Sequence, residues 1–155
     1  MNNINLQIII NKLNKFYSMF KKIHYKNKII LCVPYTLIHF FKEKNKSKHI
    51  YFGAQDCHQH QTNGPFTGSI SASMIKKVGA QYVILGNSEN RSSGDTNHKI
   101  KDKIKSAINE KLRIIFCIGE TFKERKEKKT ISVLRKQIKG SIDKKYNLNK
   151  IIIAY

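Results

Sequence analysis

Short β-forming runs recur along this chain, and each pair is separated by a segment whose apolar residues fall at helical spacing. The runs are Lys28 to Val33, His49 to Ala54, Tyr82 to Leu85, Arg113 to Ile118 and Lys150 to Tyr155. They are rich in Ile, Val and aromatic residues and show little polar alternation, as expected of strands buried on both faces of a parallel sheet. Parallel neighbours cannot be joined by a tight hairpin, so a crossover helix is needed between them. Asn5 to Ile23 offers Leu6, Ile9, Leu13, Phe16, Phe20 and Ile23, and Tyr35 to Lys44 offers Leu37, Ile38, Phe40 and Phe41. Ser69 to Ile75 opens another helix, with Gly79 as its C-cap. Asp95 can cap a helix bearing Ile100, Ile104, Ala107 and Ile108. Phe122 to Lys129 reads as a charged turn or short helix, and Ile131, Leu134, Ile138 and Ile142 mark a longer one. No linker or low-complexity tract interrupts the alternation. The chain, residues 1–155, is therefore read as one α/β domain built of parallel β/α units.

In α/β proteins chemistry gathers where such strands end. The run from Tyr82 to Leu85 passes through Gly86 and Asn87 into Ser88 and Glu89, which are suited to open a helix. The formal charge of +20 raises a different possibility, a basic α/β module that binds nucleic acid. Arginine, however, stands only at 91, 113, 125 and 135, and the remaining positive charge is lysine scattered over every segment. Lys, Asn and Ile, all abundant, are the residues of A- and T-rich codons, so base composition explains the excess without a ligand. Phe16, Tyr17, Phe20 and Tyr25 stand among lysines, as base-stacking residues would, but helical spacing assigns them to packing. No specific nucleic-acid partner is expected.

Cys57-His58-Gln59-His60, in the polar loop from Gln55 to Gly64, has a faint look of a metal cluster, but no matching Cys/His pair follows. Neither metal nor cofactor is expected. Cys32, Cys57 and Cys117 are odd in number and widely spaced, which fits reduced thiols in the cytoplasm. No apolar run reaches the ~18 residues of a membrane span. The first residues, Met1 to Asn5, lack the pattern of a secretory signal.

Three motifs narrow the reading further. Gly64-Pro65-Phe66-Thr67-Gly68, Leu85-Gly86-Asn87-Ser88-Glu89-Asn90-Arg91 and Cys117-Ile118-Gly119-Glu120-Thr121 occur in one order along nearly the whole chain. Together they closely resemble the triosephosphate isomerase family. The resemblance implies a TIM barrel, which typically needs ~250 residues. A shorter chain should hold an incomplete, open barrel of about the second to the sixth strand, with an uncovered sheet face. It also implies interconversion of dihydroxyacetone phosphate and glyceraldehyde 3-phosphate, in glycolysis and gluconeogenesis, through an enediolate. In the family a Glu is the base, a neutral His the electrophile and a Lys an oxyanion partner.

The family signature Gly-His-Ser-Glu-Arg-Arg is here Gly86-Asn87-Ser88-Glu89-Asn90-Arg91, so Asn87 stands in place of the catalytic His. Its amide can donate a hydrogen bond but has no accessible pKa and cannot shuttle a proton between two oxygens. Glu89 matches the family's carboxylate beside the Lys, and read alone it is a helix-start acid favoured by the dipole. The family's Asn-x-Lys stretch would fall just before Met1, and its base just after Tyr155. A truncated remnant, impaired or inactive and without phosphate-binding loops, is expected. Phe66, Thr67 and Gly68 match the loop that inserts into a neighbouring subunit in the family's homodimer. Ser69 and Asn90 stand where a Glu and an Arg commonly pair at that interface, so a weakened dimer is expected. Arg91, Gly94 and Cys117 match positions of mainly structural role.

Overall fold

The computed structural model describes residues 3–19, 28–45, 47–60 and 64–155. Among these, β1 (Ile29–Val33), β2 (Ile50–Ala54), β3 (Tyr82–Leu85), β4 (Arg113–Cys117) and β5 (Ile151–Ala154) form one parallel sheet in chain order. Ile29 stands opposite Ile50, Gly53 opposite Tyr82, Tyr82 opposite Arg113 and Ile114 opposite Ile151. The sheet does not close, and β1 and β5 are its two edges.

Side chains alternate along each strand, so this register sorts them onto two faces. One face carries Val33, Phe52, Ala54, Val83, Leu85, Ile114 and Phe116, all inside the core. Over it lie α2 (Tyr35–Lys44), α3 (Ala72–Lys77) and α5 (Asn97–Asn109), which contribute Ile38, Phe41, Ile75, Ile100, Ile104 and Ala107. The Phe41 and Phe52 rings meet at 5.6 Å, and each is essentially sealed from water. Truncating either to Ala would cost about 3–5 kcal/mol. The other face carries Ile30, Cys32, Ile84 and Ile115, only half-buried, and Ile152, which is exposed. Gly53 lies on this face because a Cβ there would stand 2.7 Å from Cys32 Sγ and 3.0 Å from the Tyr82 carbonyl.

The strands and most crossover helices fall where the sequence puts them. α3 starts at Ala72 instead of at Ser69, with Ser71 as its N-cap and Val78 rather than Gly79 as its C-cap. Three further details differ. α1 (Asn3–Met19) buries Ile10 and packs Leu13 on the core, while Ile9 and Phe16 are exposed. Three successive isoleucines, Ile8 to Ile10, made the stripe ambiguous by one helical step, and packing against α2 chose Ile10. The side chains of Leu6 and Tyr17, and residues Phe20, Ile23 and Tyr25, lie outside the described residues, as do positions 61–63 of the polar loop. Asp95 does not cap α5. Thr96 does, accepting from the Lys99 N–H at 3.2 Å, while Asp95 turns into a buried ion cluster.

The third difference is α7 (Thr130–Ser141), whose inward face is polar. Gln137 and Ser141 are buried, whereas Ile138 is exposed and Ile131 is 67 % exposed. Gly140 sets this orientation. A Cβ there would fall 2.9 Å from Asn97 Cβ, so a residue without one brings α7 against α5. Ser141 Oγ then donates to the Asn97 carbonyl at 3.3 Å.

An apolar face and a free strand edge left to water favour association over a sharply packed monomer. The purified 155-residue chain should bind ANS and melt over a broad range. A cooperative two-state melt of a monomer at micromolar concentration would contradict this.

Candidate functional site

β3 leads into the site through a turn that only glycine makes without strain. Gly86 has φ +77°, and a Cβ on it would lie 3.0 Å from both Arg91 Nη2 and the Cys117 carbonyl. The next residue, Asn87, N-caps α4 (Ser88–Ser92), with Oδ1 accepting the Asn90 N–H at 2.8 Å. The sequence suggested a helix start at Ser88 and Glu89, but the capping role of Asn87 was not read from it. The signal was present, since Asn before a polar helix start is a favoured cap.

From α4 the Arg91 side chain folds back. Its Nε donates to the Gly86 carbonyl at 2.7 Å, Nη1 to Asn97 Oδ1 at 2.8 Å and Nη2 to the Cys117 carbonyl at 3.3 Å. One guanidinium thus holds the ends of β3 and β4 and the start of α5.

Beyond β4 the chain is held from the helix side. The Gln137 amide makes a two-way pair with Gly119, accepting its N–H at 2.9 Å and donating to its carbonyl at 2.7 Å. Thr121 and Glu124 form a capping box on α6 (Phe122–Lys126). Between them the Glu120 side chain is 1 % exposed. Its Oε1 accepts from Arg125 Nε at 2.7 Å, Thr130 Oγ1 at 3.1 Å and Tyr155 Oη at 3.2 Å, and Arg125 Nη2 donates to Tyr155 Oη at 2.6 Å. The hydrogen bond from Arg125 is the main reason that the Glu120 carboxyl falls to about 2. Burial pushes the Cys117 thiol up, against the nearby Arg91 charge.

Gly86, Asn87, Cys117, Gly119, Glu120, Gln137 and Tyr155 line one cleft of about 570 Å³ at the C-terminal ends of β3, β4 and β5. Its two carboxylates, Glu120 and Glu124, are both held below the usual carboxylate range by hydrogen bonds. They are poor proton acceptors at neutral pH. What the cleft offers is the Asn87 amide, since the Arg91 and Gln137 donors on its wall are already bonded to protein oxygens. Glu89 stands exposed in the first turn of α4 and does not line it.

This arrangement, a Gly turn, an Asn cap and a Cys-Ile-Gly-Glu loop at adjacent parallel strand ends, can be set beside known proteins. A model of the family "Triosephosphate isomerase" matches residues 2–155. The chain belongs to the triosephosphate isomerase family. It is 39 % identical over 133 residues to triosephosphate isomerase of Dictyoglomus thermophilum, covering 84 % of this chain and 53 % of that protein. To the Alkaliphilus oremlandii isomerase it is 35 % identical over 130 residues, covering 82 % and 52 %. The crystal structure of the Bartonella henselae isomerase superposes with a TM-score of 0.79 at 37 % identity, over 83 % of this chain and 54 % of that one. The chain thus spans about half the length of the curated relatives it matches. The open parallel sheet is a part of the family's barrel, and the nucleic-acid reading of the charge gains no support.

Phe66, Thr67 and Gly68 lie on a separate loop, where the Phe66 ring stacks on His60. The base of that loop meets α4. Ser69 and Asn90 line one hollow of about 290 Å³ together with Asp56, Asp95 and Lys103. Asn90 Nδ2 is buried there without a partner. Among the described residues no group of three or more His, Cys, Asp or Glu side chains is placed to hold a metal.

The ion cluster beside this hollow was not foreseen. Lys103 Nζ lies 2.9 and 2.7 Å from the Asp56 oxygens and 2.7 Å from Asp95 Oδ2, and Lys99 Nζ lies 3.0 Å from Asp95 Oδ1. Lys103 and Asp95 side chains are each 4 % exposed. Burial pushes the Asp95 carboxyl up, but hydrogen bonds from Lys103 and Lys99 outweigh it and leave it below 3.8. Asp95 therefore adds stability above pH 3.8 that is lost as pH falls through its lower folded value. For Asp56 burial wins over the Lys103 bonds, and its carboxyl is raised.

Two substitutions check this construction. Gly86→Ala should destabilise by about 1–3 kcal/mol, from a strained turn and a displaced Arg91. Lys103→Met leaves Asp56 without a cation and Asp95 with Lys99 alone, and should cost about 3–5 kcal/mol. Urea midpoints followed by circular dichroism read both, and a Lys103→Met midpoint equal to the parent's would refute the role given to the cluster.

Proposed function

We propose that this chain forms the electrophile side of a site for interconverting dihydroxyacetone phosphate and glyceraldehyde 3-phosphate, and that Asn87 leaves the site impaired or inactive. The observation that carries the reading is the hydrogen bond from the Asn90 N–H to Asn87 Oδ1. It commits the amide oxygen to the cap, so Nδ2 is the end left to face a substrate carbonyl. An amide so fixed can polarise that carbonyl as a donor. It cannot pass a proton between the two substrate oxygens, because no proton leaves it near neutral pH. Within these 155 residues the family's base and lysine have no counterpart, and Glu120 is too firmly ionised to replace the base.

The same reading supplies the partners. The substrate is a triose phosphate, and the loop of Phe66, Thr67 and Gly68 is the contact of a homodimer. That dimer is weaker than is usual in the family, because Ser69 and Asn90 replace a charged pair and leave a hollow. A cytoplasmic setting fits reduced Cys32, Cys57 and Cys117, none of which is paired, and no helix among the described residues is long and apolar enough to cross a membrane.

A coupled isomerase assay on contaminant-free chain should give no turnover above the uncatalysed rate. The cost of the asparagine is measured separately, by placing Asn at the signature histidine of a full-length family enzyme. Its kcat should fall by about 10²–10⁴. Turnover by the pure chain, or a neutral effect in that enzyme, would overturn the proposal.

A further inference from the structure

Three rings gather under the loop that carries Phe66, Thr67 and Gly68, and two of them are imidazoles. His60 lies flat on Phe66, with centroids 4.1 Å apart and planes at 8°. The His58 ring is 5.0 Å from Phe66 and 5.2 Å from His60. The loop around them is closed by backbone bonds, Phe66 N–H to the Gly64 carbonyl at 2.7 Å, Ser69 N–H to the Phe66 carbonyl at 3.0 Å and His58 N–H to the Ile70 carbonyl at 2.8 Å. The His60 backbone N–H points at His58 Nδ1 at 3.4 Å. That contact needs a lone pair on Nδ1, which a protonated imidazole does not have.

We propose that this loop is a proton-sensitive device: acidification loads His58, removes the acceptor for the His60 N–H and loosens the packing of the Phe66 loop. The charges around His58 set the direction. Lys99 and Lys103 of α5 face it, and His60 adds a third positive group when protonated. Asp56 is the opposing charge, but both its oxygens are taken by Lys103, and Asp95 is likewise held by Lys103 and Lys99. The remaining titratable neighbours, Tyr35 and Cys57, are both raised by burial and stay neutral. A proton on His58 therefore enters a pocket with no free counter-charge. Burial first, then the three positive neighbours, hold its imidazole below 6.5. A base depressed in the folded state keeps its full contribution above its ordinary value and loses it as pH falls.

His60 plays a different part: it lies flat on Phe66 and lines a second hollow with Asp102 and Lys105. His58 is thus the sensor and His60 the prop. The inference does not need the loop to be a dimer contact or the chain to be active.

Hydrogen exchange of the full chain, compared at about pH 7.5 and about pH 5 and corrected for intrinsic rates, tests it. Protection of the His60, Phe66 and Ser69 amides should fall more than about twofold at the lower pH, relative to the amides of β3. His58→Asn keeps an acceptor oxygen near the same place and gains no proton, so it should abolish the dependence. His60→Phe keeps the stack and should preserve it. Unchanged protection in the parent chain, a dependence that survives His58→Asn, or one lost in His60→Phe would each overturn the proposal.

Discussion

A single guanidinium organises the working end of this sheet. Arg91 reaches the carbonyls of Gly86 and Cys117 and the side-chain oxygen of Asn97, three acceptors on separate elements. Parallel strands leave their C-terminal carbonyls unpaired once the ladder ends, and buried carbonyls without partners are costly. Arg91 supplies donors to two strand ends at once, and its planar fork fixes their spacing. The Gly86 turn is as tight as it is because that fork passes within 3.0 Å of where a Cβ would stand. Asn87, the cap of α4 and the rim of the cleft follow from this placement.

The second organiser is the cluster of Lys103, Asp56, Asp95 and Lys99, which holds α5 to the loops that follow β2 and α4. In a chain of formal charge +20 it places two of ten acidic residues beside buried or half-buried lysines. The scattered surface lysines therefore say little about function, while the paired interior ones bear on stability and, through His58, on the response to protons. The hollow lined by Ser69 and Asn90 opens onto the same cluster. There Asp95 has its lysine partners on α5, and the Asn90 amide hydrogen-bond donor has none.

Much of the fold was legible because a parallel sheet writes itself in local composition. The runs at Ile29, Ile50, Tyr82, Arg113 and Ile151 became β1 to β5 within a residue or two of their expected bounds. Helix faces were less legible wherever apolar residues were contiguous or the packed face was polar. Ile10 was chosen over Ile9 by its neighbour, and α7 turned Gln137 and Ser141 inward because Gly140 permits contact with Asn97. In the cleft, the place of Asn87 between Gly86 and a helix start was plain from the motif. Its engagement with the Asn90 N–H was not, nor was the removal of Glu89 from the cleft wall.

What the sequence determined by itself was the kind of protein: parallel β/α units and three motifs of one isomerase family. Those properties reside in residue identity and short spacing, which need no distant partner to be read. Tertiary structure alone decided which polar groups meet. Asp56 is 47 residues from Lys103, Gly119 is 18 from Gln137, and Glu120 is 35 from Tyr155. Pairings at such separations depend on the register of the sheet and the tilt of the helices above it. No local pattern encodes them, because each partner alone is an ordinary polar residue until the fold brings the other to it.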